Sequence, residues 1–153
     1  MAVLTERTIK HQGVTVHFVP TSQYKTNTLV WKMKAPLKEE TVTLRALLPN
    51  VLQSNTETFP TSTAFRNHLD GLYGASLFAD VGKKGEYHIM SFQMEMVNEK
   101  YLSHKEPLLE QAFGLLAEVL TKPNAKGGQF DSNTVAKEKR ALKQRLESIY
   151  RSE

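Results

Sequence analysis

The chain has 153 residues, of which 40% are hydrophobic and 24% are charged, and it contains no cysteine. This is the composition of an ordinary soluble globular domain, and it excludes a disulfide framework, a thiolate metal site and a cysteine nucleophile. The sequence has neither an apolar run long enough to cross a membrane nor a secretory signal, so we expect a cytoplasmic protein without a membrane partner.

The net charge of +4 allows nucleic acid as a partner. Basic residues are dense only in residues 137–145, where they surround a predicted helix instead of forming one stripe, and no aromatic side chain lies among them for base stacking. We interpret this segment as a solvated helix surface and expect no nucleic-acid binding.

Two strands are predicted near the N-terminus. The segment Val14–Val19 alternates apolar and polar residues and stops at Pro20. From Leu29 to Pro36, apolar side chains fall on one face and lysines on the other.

The strongest helical pattern follows these strands. Its apolar residues are spaced to form one buried face and are Leu44, Leu47, Leu48, Val51 and Leu52. Pro49 lies inside the pattern, removes a backbone donor and clashes with the preceding turn. We therefore expect a kink or break between Arg45 and Pro49.

A second helix and a hairpin are predicted in the middle of the chain. Thr61 or Ser62 caps the helix, which ends shortly before Gly74 and whose inward residues are Phe65, Leu69 and Leu72. Strands over residues 76–81 and 86–97 are joined by the segment Gly82–Gly85. The longer strand places Phe92, Met94 and Met96 on one face, where core packing is favoured over a peptide-contact role for the methionines.

Two further helices complete the pattern. The first begins at Pro107, and its predicted buried residues are Leu108, Leu109, Ala112, Phe113, Leu116, Val119 and Leu120. Residues 122–129 are predicted to form a loop, after which Asp131 or Ser132 caps the second helix. That helix is predicted to run to the last residue and to bury Val135, Leu142, Leu146 and Ile149.

The predicted order is ββααββαα. Paired runs of strands and helices favour an α+β two-layer sandwich with an antiparallel or mixed sheet and helices packed on one face. The abrupt end of the last helix leads us to expect one domain, residues 1–153, of a longer multi-domain chain.

This layout resembles the N-terminal domain of the pitrilysin/insulinase family of zinc peptidases. In that family, two strands lead into a helix with the motif H-x-x-E-H, whose histidines bind zinc and whose glutamate is the general base. The ungapped counterpart here is the segment Arg45–Thr56, which keeps the apolar frame. The resemblance implies that the ligand positions are Ala46 and Asn50 and that the general-base position is Pro49. Moving the register by one residue gives Leu47, Asn50 and Val51 instead, and neither register supplies zinc chemistry.

A second segment resembles the later helix of the family, where an E-x6-E pattern supplies the third zinc ligand. Glu138 matches the first glutamate, and Arg145 stands where the ligand is expected. A cation repels a metal ion, so we predict no catalytic residue, metal or cofactor. Glu138 is either a retained supporting carboxylate or, as we favour, part of a solvated helix face.

The histidines of this sequence have no second histidine or carboxylate at a spacing that is convincing for a metal site. Glu86 and His88 share a predicted strand face, a spacing that some metal sites use, but we interpret them as surface residues of the hairpin. No sequence motif marks a serine nucleophile.

The resemblance extends over most of the chain. The stretches Leu72–Ala75 and Glu138–Ile149 are similar to a bacterial branch described as associated with elongation factor P modification, whose members accompany a sister protein that keeps the zinc motif. This implies a non-catalytic protein that binds peptide and pairs with a zinc-bearing subunit or a second domain. The alternatives are an active zinc metallopeptidase and a basic nucleic-acid-binding module.

Overall fold

The computed structural model describes residues 4–152, in which short antiparallel strands alternate with helices. The strands are β1 (Arg7–His11), β2 (Val14–Phe18), β3 (Thr26–Pro36), β4 (Ser76–Lys84), β5 (Tyr87–Val97), β6 (Ala125–Lys126) and β7 (Gln129–Phe130). The helices are α1 (Glu39–Ser54), α2 (Ser62–Gly71), α3 (Leu108–Thr121) and α4 (Ser132–Arg151), and a 3-10 turn covers Glu99–Tyr101.

The main sheet contains three antiparallel strands in the order β3-β5-β4. Phe92 at the centre of β5 pairs with Trp31 on one side and with Ala79 on the other. Because directly paired residues point to the same face, these three side chains share the inner face of the sheet. The helices cover this face, so the chain is an α+β two-layer fold, as the sequence predicted.

The core lies between the inner sheet face and the helices. Met94 and Met96 are buried on β5, which confirms that the methionines of this strand fill the core. The buried residues that form one contiguous hydrophobic cluster are Leu52, Phe65, Leu69, Leu72, Ala75, Phe92, Met94, Met96, Leu108, Ala112, Leu115, Leu116 and Val119.

Of the kink or break predicted between Arg45 and Pro49, the break is wrong, because helix α1 is continuous through Pro49; the kink stays a prediction. Pro49 is fully buried, and packing of the helix against the core offsets the loss of one backbone donor. Leu44 was expected inside but is 65% exposed, because the buried residues of α1 begin only at Leu47.

Helix α2 has the predicted caps. The Thr61 hydroxyl accepts a hydrogen bond from Ala64 N at 3.1 Å. At the other end, Tyr73 (φ +57°) and Gly74 (φ +73°) adopt the left-handed conformation, and Gly74 N donates to Asp70 O at 3.2 Å. These contacts end the helix before β4 begins.

The β4–β5 hairpin is confirmed, but its turn lies later than predicted. Pairing continues to Lys84 and Tyr87, which leaves only Gly85 and Glu86 as the connection. Gly85 has φ +59° and supplies the left-handed residue that a two-residue turn requires. Gly82 therefore lies within a strand, because one left-handed glycine is sufficient for the turn.

Two predicted faces of the last helices need correction. On α3, Phe113 is 55% exposed, and Leu115 is buried in its place because it lies on the side with Ala112 and Val119. On α4, Leu146 and Ile149 are exposed because α4 packs against α1 through its first half. The helix ends at Arg151 and is capped by Ser152, whose backbone nitrogen donates to Ile149 O at 3.2 Å, so the predicted run to the last residue is wrong at Ser152. Residue 153 lies outside the described residues.

The loop predicted over residues 122–129 contains the short β6–β7 hairpin, with Gly127 and Gly128 both left-handed at its turn. The prediction of an unstructured connection is therefore wrong at its C-terminal end, because two consecutive left-handed glycines allow the chain to pair with itself.

Strand β2 was predicted, whereas its partner β1 was missed because Ile9 is its only apolar residue. The two strands form a separate hairpin around Gln12 and Gly13, outside the main sheet. All ten of their residues are exposed. β3 begins at Thr26, three residues before the predicted start.

Candidate functional site

The residues at the positions that the resemblance assigns to the zinc motif lie in the middle of α1. Ala46 and Asn50 are one turn apart and half-buried. The Asn50 side-chain amide donates to the Ala46 carbonyl oxygen at 3.1 Å, and its Oδ1 accepts from Gln53 Nε2 at 3.3 Å. Both ends of the Asn50 carboxamide are therefore used by hydrogen bonds inside the helix.

An open depression separates α1 from α4. It has a volume of about 440 Å³ and is lined by Asn50, Glu138, Ala141, Gln144, Arg145 and Ser148. The structure thus brings together Asn50 of α1 with Glu138 and Arg145 of α4, three positions to which the resemblance had pointed. Arg145 is exposed at this depression, as are the other basic residues of the 137–145 segment, which agrees with a solvated helix surface.

Glu138 contacts α1 through Ser54. The Ser54 hydroxyl lies 2.9 Å from Glu138 Oε1 and 2.8 Å from the Asn50 carbonyl oxygen, and its one proton serves one acceptor at a time. Glu138 is half-buried, so the preferred expectation of a solvated helix face does not describe its environment. Its carboxylate instead helps to hold α4 against α1.

A buried polar contact fixes the start of α4 beside the end of α1. Asn55 Nδ2 donates to Thr134 Oγ1 at 2.9 Å, and Thr134 donates from both its hydroxyl and its backbone to Asp131 Oδ2. The side-chain and backbone hydrogen bonds from Thr134 lower the pKa of Asp131 below its ordinary value. Asp131 is thus the predicted N-cap and also part of the contact between the helices.

Zinc sites in proteins are built from imidazole, thiolate and carboxylate ligands. Of the residues that line the depression, only Glu138 offers such a group, and its Oε1 lies within hydrogen-bond distance of the Ser54 hydroxyl. Asn50 presents a carboxamide and Arg145 a guanidinium. The residues therefore do not fit a zinc ion, and no group of three or more potential metal ligands occurs within residues 4–152.

The site also contains a contact that the sequence did not predict. Gln53, the neighbour of Ser54, accepts a hydrogen bond through Oε1 from the backbone nitrogen of Ala79 at 2.9 Å. This bond connects α1 directly to β4. The only sequence signal was a run of polar residues, Gln53–Asn55, at the end of an otherwise apolar helix.

His88 is not a surface residue, contrary to our expectation for the hairpin. It is buried on the inner face of β5, and its Nδ1 has no hydrogen-bond partner among the described residues. Glu86 lies in the turn, where its carbonyl oxygen accepts from Leu37 N at 2.9 Å. The two residues do not share a strand face.

Comparison with known proteins finds relatives that are much longer than this chain. No protein-family model matches it. It is 47% identical over 150 residues, 98% of its length, to a Bacillus subtilis (strain 168) protein named "Probable inactive metalloprotease YmfF". The alignment spans 35% of that protein.

A solved structure shares the fold. The crystal structure of a conserved protein from Enterococcus faecalis V583 matches 94% of this chain with a TM-score of 0.90 and 36% sequence identity. The chain covers 34% of that protein, so it corresponds to about a third of each relative. No helix of the described residues has both the length and the apolar character needed to span a bilayer.

Proposed function

We propose that this chain is a non-catalytic, metallopeptidase-like domain of the pitrilysin/insulinase type that binds extended peptide. The observation that carries the proposal is the set of side chains at the α1–α4 depression. The carboxamide of Asn50, the guanidinium of Arg145 and the carboxylate of Glu138 meet there. This set does not provide the ligands that zinc requires, so it cannot activate water through zinc. The name of the Bacillus subtilis relative, a probable inactive metalloprotease, supports the same conclusion.

We also propose that the chain belongs to the bacterial branch associated with elongation factor P modification. The support is the similarity of the stretches Leu72–Ala75 and Glu138–Ile149 to members of that branch. A zinc-bearing sister subunit, or a second domain of the same polypeptide, would supply the chemistry and the remaining walls of the binding chamber.

The edge of β4 that faces away from β5 is the proposed peptide-binding surface. Within the described sheet, β4 pairs with β5 on one side only, and its other edge lies beside α1. In an antiparallel pair, the backbone groups of alternate residues point away from the partner strand. An extended peptide can pair with these groups as an added strand, which requires no metal.

The first test measures metal and cleavage. We expect the purified protein to contain substoichiometric zinc and to show no peptide cleavage that chelation abolishes. Stoichiometric zinc together with chelator-sensitive cleavage would contradict the proposal and favour the active-peptidase alternative.

The second test measures peptide binding by fluorescence anisotropy. The probe is a fluorescein-labelled peptide of about eight alternating threonine and valine residues, which favours an extended strand. We expect micromolar binding that is lost when alternate amides of the peptide are N-methylated. Equal binding of both peptides argues against strand addition. Tighter binding of single-stranded or duplex nucleic acid at physiological salt would favour the basic-module alternative instead.

The third test addresses the partner. Affinity purification from the native cell is expected to recover a protein with the H-x-x-E-H motif in stoichiometric amount. If the chain is recovered without such a protein, and its own polypeptide contains no zinc motif, the paired-subunit part of the proposal is wrong.

A further inference from the structure

The Gln53 side chain connects helix α1 to the edge of β4 that is proposed to bind peptide. Its Oε1 accepts from Ala79 N at 2.9 Å, while its Nε2 donates to Asn50 Oδ1 at 3.3 Å. One half-buried carboxamide therefore contacts both β4 and a residue that lines the α1–α4 depression.

The direction of the Ala79 amide follows from this contact. Ala79 is paired with Phe92 of β5, yet its N–H points to Gln53 and not to β5. Ala79 therefore occupies a non-hydrogen-bonded position of the ladder, with its backbone groups directed to the open edge. Leu77 and Val81, two residues before and after it, have the same direction.

Ala79 N–H is thus one of the donors that an added peptide strand would use. In this structure its acceptor position is filled by Gln53 of the same chain. A peptide strand and the Gln53 carboxamide cannot both accept this hydrogen bond at full strength, because the amide has a single proton.

We propose that Gln53 acts as an internal lock on the β4 edge, which a peptide must displace before it can add as a strand. The proposal rests on peptide binding at this edge. The same carboxamide donates to Asn50 Oδ1, so a rotation of Gln53 that breaks both hydrogen bonds couples the β4 edge to the α1–α4 depression.

The matched variants are Gln53→Ala, Gln53→Glu and Gln111→Ala. Gln53→Ala removes the acceptor while keeping a good helix former. Gln53→Glu retains an acceptor for the Ala79 N–H and gives it charge, but it loses the donor to Asn50 Oδ1. Gln111→Ala makes the same change on an exposed face of α3 and controls for loss of a helical glutamine.

Two measurements are made on each protein. Amide hydrogen exchange resolved by NMR reports the Ala79 hydrogen bond in the free protein. Anisotropy with the threonine–valine peptide reports strand addition. We expect faster exchange at Ala79 and about threefold to tenfold tighter peptide binding in Gln53→Ala, since a net hydrogen bond contributes on this scale. Gln53→Glu should bind no more tightly than the wild type, and Gln111→Ala should match it.

The outcomes separate this inference from the proposed function. If all proteins bind the peptide equally, the lock is wrong and peptide binding stands. Unchanged exchange at Ala79 in Gln53→Ala also overturns the lock. If exchange accelerates but neither wild type nor Gln53→Ala binds the peptide, peptide binding at this edge is wrong, and Gln53 is only a structural cap of the strand.

Discussion

The β1–β2 hairpin and the central strand β5 are both antiparallel, and β2 and β5 both alternate apolar with polar residues, yet their environments are opposite. On β5 the apolar residues that face the helices are buried, and Phe92 and Met94 have no exposed surface. On the hairpin, Ile9, Val16 and Phe18 lie on one shared face and are all exposed. Alternation thus indicates that one face of a strand is apolar, but whether anything covers that face depends on elements elsewhere in the chain.

The energetic consequence of this difference is large. Burial of a phenylalanine side chain stabilises a fold by roughly 1.5–3 kcal/mol, whereas an exposed phenylalanine contributes little. A two-stranded hairpin without a third strand or a helix against it is marginally stable in water. The main sheet should therefore define global stability, and the hairpin should open on its own.

The largest expected effect is on β5. Phe92→Ala should lower the free energy of unfolding by about 3–5 kcal/mol, because it removes a fully buried ring at the centre of the sheet. Urea titration measures the change. The matched control is Phe78→Ala, on the exposed face of β4, which should cost far less. Similar losses in the two variants would contradict the packing described here.

Hydrogen exchange gives the next largest contrast. Amides of β1 and β2 should exchange at least about 30-fold faster, relative to their intrinsic rates, than those of β5, because the hairpin opens without global unfolding. Mass-spectrometric or NMR exchange at neutral pH tests this. Equal protection would mean that the hairpin is covered in solution.

The Asp131 cap at the start of α4 should make the stability of the fold depend on pH. Because hydrogen bonds from Thr134 lower the pKa of Asp131 in the folded state, its carboxylate stabilises the fold above the unfolded pKa of about 3.9. That contribution is lost as the pH falls through the lower, folded pKa.

Asp131→Asn keeps a capping side chain but does not titrate. The fall in the urea midpoint between pH 7 and pH 3 should be smaller in this variant than in the wild type. Asp70→Asn controls for the change in net charge. An unchanged pH dependence in Asp131→Asn would argue against the Thr134 contacts.

The smallest effect is expected on the hairpin. Phe18→Ala should change the free energy of unfolding by no more than about 0.5 kcal/mol, since Phe18 is 56% exposed. The same urea titration used for Phe92→Ala provides the measurement. A loss of the size predicted for Phe92→Ala would show that the two regions do not differ as described.

Much of the fold could be predicted because it depends on local signals. The caps at Thr61 and Asp131 and the β4–β5 hairpin each follow from residues a few positions apart. The course of α1 through Pro49 could not be predicted, because packing against distant strands opposes the local cost of the proline. The exposure of Leu44 could not be predicted either, because only the tertiary packing shows that the buried residues of α1 begin at Leu47.

The candidate site was accessible from sequence only in part. The resemblance to the zinc-peptidase family pointed to Asn50, Glu138 and Arg145, and the structure places all three around one depression. The Gln53–Ala79 and Asn55–Thr134 contacts join residues far apart in the chain. Such contacts leave no periodic pattern, so only the tertiary structure can indicate them.

The two-residue turn at Gly85 and Glu86 has a consequence for the folding pathway. Closing this turn brings β4 and β5 together at small entropic cost, so their pairing can proceed from the turn outward. By contrast, β3 reaches β5 only after α1 and α2 have been enclosed in the loop between them. Contacts over such a sequence separation form slowly. We therefore expect the β4–β5 hairpin to form early and the docking of β3 to limit the folding rate.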